Sequence, residues 1–134
     1  MATTYNEPRL DQHRILVVED ENLIALDLAH ALRRLGAEVI GPAASVSKAR
    51  ALISDAKGPI SMAILDINLH GELVFPLAEE LRARQVPFLF ASGYAQPVLP
   101  ERYANVPIWG KPLDSEAFAK ALAAHLARKA PKLS

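Results

Sequence analysis

The chain has 134 residues and is 51% apolar, which suits one compact domain of common size and leaves no room for a second sizeable core. Its 15 Lys and Arg balance its 15 Asp and Glu, so no overall field draws nucleic acid, an anionic membrane or a polyanionic substrate, and no local basic patch supplies one. Cysteine is absent, which excludes disulfides, thiolate zinc sites and cysteine nucleophiles together and fits a reducing compartment.

Residues 1–13 are polar and hold no apolar run of the kind a signal peptide or membrane span needs, so the chain reads as cytoplasmic, with an N-terminal arm that frays up to Arg14. Ile15-Leu16-Val17-Val18 follows as a continuous apolar run, the pattern of a strand buried on both faces. Ile24, Leu28, Leu32 and Leu35 then recur on one helix face, and Gly36 supplies the stop, which predicts a helix over about 21–35. Glu38 to Pro42 reads as an edge strand ended by the proline. Ser45 is a candidate N-cap for a second helix, with Ala49, Leu52 and Ile53 inward and Gly58-Pro59 closing it.

Met62 to Leu65 is the next buried strand, and a third helix is expected from about Glu72 to Arg84 on a stripe of Leu73, Leu77 and Leu81, with Pro76 tolerable near its first turn. Phe88 to Ala91 and the weaker run Val106 to Trp109 complete the strands. Between them Pro97 and Pro100 break the rhythm, so Gly93 to Asn105 is expected to be irregular and mobile, with a turn of helix at most. Asp114 caps a last helix that turns Phe118, Leu122 and Leu126 inward, and a short polar tail occupies 130–134. Strands alternating with helices imply right-handed crossovers and a doubly wound α/β domain over 14–129, with five parallel strands and helices on both faces.

In such a sheet, function collects beyond the carboxyl ends of the strands. The residues there are Glu19 and Asp20, Asp66, Ser92 and Lys111. Carboxylates crowded together repel by about 4 kcal/mol per pair at about 4 Å and an effective dielectric of about 20, so something positive must sit among them. Oxygen-only ligands suit Mg²⁺, and beside it one carboxylate can attack phosphorus while Lys111 faces the phosphoryl charge from the other side. Ser92 offers a hydroxyl to a phosphoryl oxygen once it arrives.

Taken in order, Val17-Val18-Glu19-Asp20-Glu21, Ile64-Leu65-Asp66-Ile67-Asn68-Leu69, Phe90-Ala91-Ser92-Gly93-Tyr94 and Lys111-Pro112 resemble the conserved patches of response-regulator receiver domains, over residues 14–128. The Phe-Ala-Ser-Gly-Tyr run resembles the alphaproteobacterial FATGUY subgroup. The resemblance implies a flavodoxin- or CheY-like sheet of order 2-1-3-4-5 with a shortened or irregular fourth helix. It further implies Asp66 as phosphoacceptor, Asp20 as a direct Mg²⁺ ligand, Glu19 as a ligand acting through water, and the backbone carbonyl of Asn68 as completing the metal site. Ser92 aligns with the switch hydroxyl, Lys111 with the phosphate-binding lysine, and the Lys111-Pro112 bond with one that is usually cis. Many receivers carry an aromatic three residues before the lysine, where this chain has Ile108; Trp109 alternates to the opposite face.

Each residue alone has a plain explanation: Asp20 as a helix cap, Ser92-Gly93 as a turn, Asp66 and Lys111 as solvated charges. Jointly these require four coincidences on one sheet edge. The histidines His13, His30, His70 and His125 show no metal spacing; His70 lies near the Asp66 loop and is given no role, and Tyr94 and Tyr103 are weak candidates for partner contacts. The expected function is a stand-alone phosphoacceptor of two-component signalling, not an enzyme. It takes phosphate from a sensor histidine kinase or histidine phosphotransfer protein and acts on a protein partner, with neither nucleic acid nor membrane involved and a homodimer on phosphorylation left open. The alternatives are a haloacid-dehalogenase-like phosphatase, which Asn68 disfavours because those enzymes place Asp there, and an unphosphorylated pseudo-receiver scaffold, which the intact acidic set disfavours.

Overall fold

The computed structural model describes residues 7–93, 99–111 and 114–129. Strands β1 (Arg14–Val18), β2 (Glu38–Ala43), β3 (Met62–Asp66), β6 (Phe88–Ser92) and β7 (Ile108–Gly110) form one five-stranded sheet of order β2-β1-β3-β6-β7. Every pairing in it is parallel. Counted among the parallel strands alone, this is the expected 2-1-3-4-5 order. The remaining two strands, β4 (Asn68–Leu69) and β5 (Glu72–Leu73), make a small antiparallel hairpin. Helices α1 (Asn22–Arg34), α2 (Val46–Asp55), α3 (Phe75–Ala83) and α4 (Ser115–Lys129) cover the sheet.

Alternation along each strand divides the core between the faces. Ile15, Val17, Ile64 and Leu89 pack with Leu28 and Leu32 of α1 and Phe118 and Leu122 of α4. Leu16, Val18, Leu65 and Phe90 pack on the other face with Ala49 and Ile53 of α2 and Leu77 and Leu81 of α3. The caps agree with the helical pattern: Ser45 Oγ accepts from Lys48 N–H at 3.1 Å and Asp114 Oδ1 from Ala117 N–H at 3.0 Å. The amphipathic repeat, not propensity alone, therefore chooses the helical faces.

Several sequence expectations are corrected. The arm does not fray throughout: Leu10 is fully buried against the α1/α4 face, and its N–H donates to Leu35 O at 2.7 Å. An isolated leucine has no periodicity to announce it. Strand β2 runs through Pro42 to Ala43, with its register against β1 shifting between Leu16 and Val18; as an edge strand it tolerates the missing N–H. Helix α2 ends at Asp55, ahead of Gly58-Pro59. Helix α3 starts at Phe75, because Glu72 and Leu73 belong to the hairpin, and Leu73 is exposed where the stripe placed it inward.

Strand β7 is short and exposed along its length instead of buried on both faces, since it lies at the sheet edge and Pro107 precedes it. Within the irregular stretch, residues 94–98, including Tyr94, lie outside the described residues; the regular structure from 99 to 105 is a single 3₁₀ turn, Glu101–Tyr103. Tyr103 is not a surface contact but a fully buried core residue. Its ring stacks on Phe75 at 5.5 Å and meets the edges of Phe88 and Phe90, while its hydroxyl bonds the Phe75 carbonyl at 3.3 Å and the Glu79 carboxylate.

The buried ring and its hydroxyl contribute separately to stability. Tyr103→Phe is expected to cost about 1 kcal/mol, the worth of the lost hydrogen bonds, and Tyr103→Ala about 3 to 5 kcal/mol through the cavity it leaves. Urea denaturation measures both, and equal losses would contradict the division.

Candidate phosphoacceptor and metal site

Four parallel strands end together. Asp66 is the last residue of β3, and its Cα partner on β6 is Ala91, one residue before Ser92. Ser92 in turn pairs with Gly110 of β7, and Lys111 N–H extends that ladder to Ser92 O at 2.7 Å. On the other side of β3, Val18 pairs with Leu65, so Glu19 and Asp20 emerge beside Asp66. The parallel register thus carries Glu19, Asp20, Asp66, Ser92 and Lys111 to one edge. Asp20 does not cap α1; the cap position is Glu21, whose side chain makes no capping bond.

Glu19, Asp20 and Asp66 each offer a carboxylate oxygen, and these lie within 4.8 Å of one another. Glu19, Asp66 and Ser92 are buried, at 4%, 6% and 3% exposure. Lys111 Nζ reaches Glu19 Oε1 at 2.5 Å and Asp66 Oδ2 at 3.0 Å. Backbone amides hold the acids further: Glu21 N–H donates to Glu19 Oε2 at 3.0 Å and Asn68 N–H to Asp66 Oδ1 at 3.2 Å. Ser92 Oγ is turned to its neighbour's carbonyl, Gly93 O, at 3.3 Å.

Burial, and next the Glu19 charge, push the Asp66 carboxyl up to about 7, although its hydrogen bond from Lys111 works the other way. Burial also opposes the charge on Lys111, but hydrogen bonds to Glu19 and Asp66 outweigh it and hold the ammonium above the ordinary lysine range. The pair therefore favours charge on Lys111 without securing it on Asp66, because one ammonium does not balance the acids around it. This donor set fits Mg²⁺: hard oxygen ligands from carboxylates, close enough to share one ion, with negative charge in excess.

The hairpin after β3 shapes the rim. Asn68 is exposed, and its side-chain Oδ1 accepts from Gly71 N–H at 2.6 Å, closing the turn. His70 has φ +52° and Gly71 φ +90°, both in the left-handed region. His70 Nδ1 lies against Asp20 Oδ2, a contact the sequence reading left without a role. Ile108 is partly exposed on β7, and Trp109 packs edge-on to Phe118 of α4 at 4.8 Å between ring centroids. Pro112 lies outside the described residues, and with it the expected cis bond.

No family model matches the chain. The phyllosphere-induced regulator PhyR of Methylorubrum extorquens is 35% identical over 91 residues, 66% of this chain and 32% of that protein. The chain therefore spans about a third of the curated relative it matches. The receiver domain of the hybrid histidine kinase CckA is 27% identical, with 84% of this chain and 98% of that one covered and a TM-score of 0.68. The solution structure of SdrG from Sphingomonas melonis Fr1 is 43% identical, covers 85% of this chain and 96% of that one, and gives a TM-score of 0.71. This chain is a CheY-like response-regulator receiver domain. A BeF₃-activated conformation of SdrG, from Pseudomonas melonis Fr1, also matches this receiver, at 40% identity over 84% of it and 95% of that chain, with a TM-score of 0.67. The PhyR and SdrG likeness supports placing the receiver in the FATGUY subgroup of two-component signalling proteins. No helix among its described residues is long and apolar enough to cross a membrane.

The raised Asp66 carboxyl has a thermodynamic consequence. A carboxyl whose native value lies above its unfolded one binds its proton more tightly in the folded chain, so native stability falls as pH rises from about 4 through about 7. Without divalent cations, Asp66→Asn should therefore gain in stability on the wild type as the pH rises from about 4 to about 8. Urea denaturation in chelator at both pH values measures this, and a gap independent of pH would contradict it.

Proposed function

We propose that this receiver accepts a phosphoryl group from a phosphohistidine onto Asp66 in a Mg²⁺-dependent reaction and signals by protein contact. The observation that carries the reading is the Asp66 carboxylate, 3.0 Å from Lys111 Nζ and inside the acidic trio. Glu19, Asp20 and Asp66 would hold the ion, together with the backbone carbonyl of Asn68. When bound, Mg²⁺ supplies positive charge against the phosphoryl oxygens and offsets the repulsion among the acids.

In the transfer an Asp66 oxygen forms the new bond to phosphorus as the donor's N–P bond breaks, and the released imidazole nitrogen keeps the electron pair and takes a proton. Lys111 already stands beside the attacking carboxylate, and its ammonium is free to turn from Glu19 and Asp66 toward the incoming oxygens. Ser92 has the hydroxyl to follow: turning from Gly93 O to a phosphoryl oxygen would make a charge-assisted bond worth about 1.5 to 3 kcal/mol. That bond is available only in the phosphorylated state, which makes it a switch. With Ile108 where an aromatic is common, the response runs through Ser92 and the segment that follows it.

The phosphodonor is a sensor histidine kinase or a histidine phosphotransfer protein, in the cytoplasm, and the output is a protein partner. The chain acts as a signalling domain that catalyses only its own phosphorylation and dephosphorylation. A haloacid-dehalogenase-like reaction has no support from the receiver relatives, and Asn68 stands where that chemistry needs an acid.

Incubation with acetyl phosphate and Mg²⁺ is expected to give one phosphoryl adduct by intact-mass spectrometry, lost in Asp66→Asn and strongly slowed in Asp20→Ala. Steady turnover of phosphoesters would point to an enzyme, and the absence of any adduct would overturn the phosphoacceptor role. Ser92→Ala should still form the adduct while its amide chemical shifts respond less than those of the wild type; an undiminished response would contradict the hydroxyl switch.

A further inference from the structure

Lys111 does not serve the whole acidic trio. Its ammonium bonds Glu19 and Asp66, whereas the Asp20 carboxylate, among the described residues, lies against His70 Nδ1. The Asp20 side chain is 9% exposed and the His70 side chain 76%, so the imidazole covers the acid from the solvent side. We infer that His70 is a positioning residue for the metal site: its Nδ1–H holds one oxygen of Asp20 and leaves the other for the cation.

The backbone supports this assignment. A left-handed φ of +52° is strained at a side-chain-bearing residue and persists where its surroundings impose it. Here the turn is closed by Asn68 Oδ1 on Gly71 N–H, and the same Asn68 donates its own N–H to Asp66 Oδ1. A second tie comes from Glu72, whose Oε1 accepts from Val46 N–H at the start of α2, at 3.3 Å. The hairpin that fixes one oxygen of Asp66 therefore also presents His70 to Asp20, across the gap between the β3 and β1 loops. Partners of this kind, which hold a metal-ligating group by its remaining atom, are part of a metal site's affinity. An exposed pair alone is worth little, but here the acceptor is nearly buried and stands among other carboxylates that repel it.

The inference rests on the Mg²⁺ reading above, and the experiment separates the two. Mg²⁺ titration at constant pH, followed through the amide signals of Asp66 and Asn68, measures the dissociation constant of the full chain. His70→Ala should weaken Mg²⁺ binding about 10-fold, the lower end of the range for such partners because the ring is exposed. His70→Gln, which keeps an N–H donor, should recover most of the loss, and His70→Ala should cost nothing further in an Asp20→Asn background. Unchanged or tighter binding in His70→Ala overturns the positioning role, as does an equal loss in the Asp20→Asn background. A wild type that shows no response to Mg²⁺ overturns the metal reading itself.

Discussion

Negative charge forced together at the end of a sheet is the constraint on which this molecule turns. Carboxylates would separate into water if the chain let them, since each close pair costs several kcal/mol in a half-buried setting. What prevents it is the packing below. Leu16, Val18, Leu65 and Phe90 on one face and Ile15, Val17, Ile64 and Leu89 on the other make β1, β3 and β6 a rigid block. The acids are the first polar residues after the apolar runs end. Repulsion at the rim is thus offset by burial beneath it, and the stress falls on Asp66, whose carboxyl is raised by burial and by the Glu19 charge.

Chemistry follows from that stress. On the phosphoacceptor reading, a carboxyl pushed up to about 7 would be an incomplete nucleophile, because near that pH part of the population carries a proton. Further positive charge beyond Lys111 makes the ionised form dominant. On that reading, the charge that would complete the nucleophile is also the charge an arriving phosphoryl group would require, so readiness and transfer would share one electrostatic condition. Lys111 ties that condition to the neighbouring strands through its main chain, which bonds the carbonyl of Ser92.

Much of this was legible in the residues. Continuous apolar runs marked the strands of the sheet, periodic leucines marked the buried faces of α1 and α4, and polar groups at the strand ends marked the rim. Features that depend on a single residue meeting a distant one were not. Leu10 and Tyr103 carry no local pattern, and their burial is decided by the ends of α1 and by the aromatic group Phe75, Phe88 and Phe90. Leu73 fitted a helical spacing by coincidence, since the hairpin claims it. That hairpin had a signal: an Asn three residues before a Gly is a turn chemistry, and reading it would have separated 68–73 from α3 and placed His70 at a bend. The contact between His70 and Asp20 itself could not be read, because it joins loops from different strands.

Both margins of the sheet are poor templates for another backbone. On one side β7 offers a rung of three residues; on the other, β2 carries a proline without an amide hydrogen and a slipped register against its neighbour. Adding a strand at either margin would meet too few matched donors and acceptors to zip up. The fold is thereby guarded against backbone-to-backbone stacking by an economy of edges.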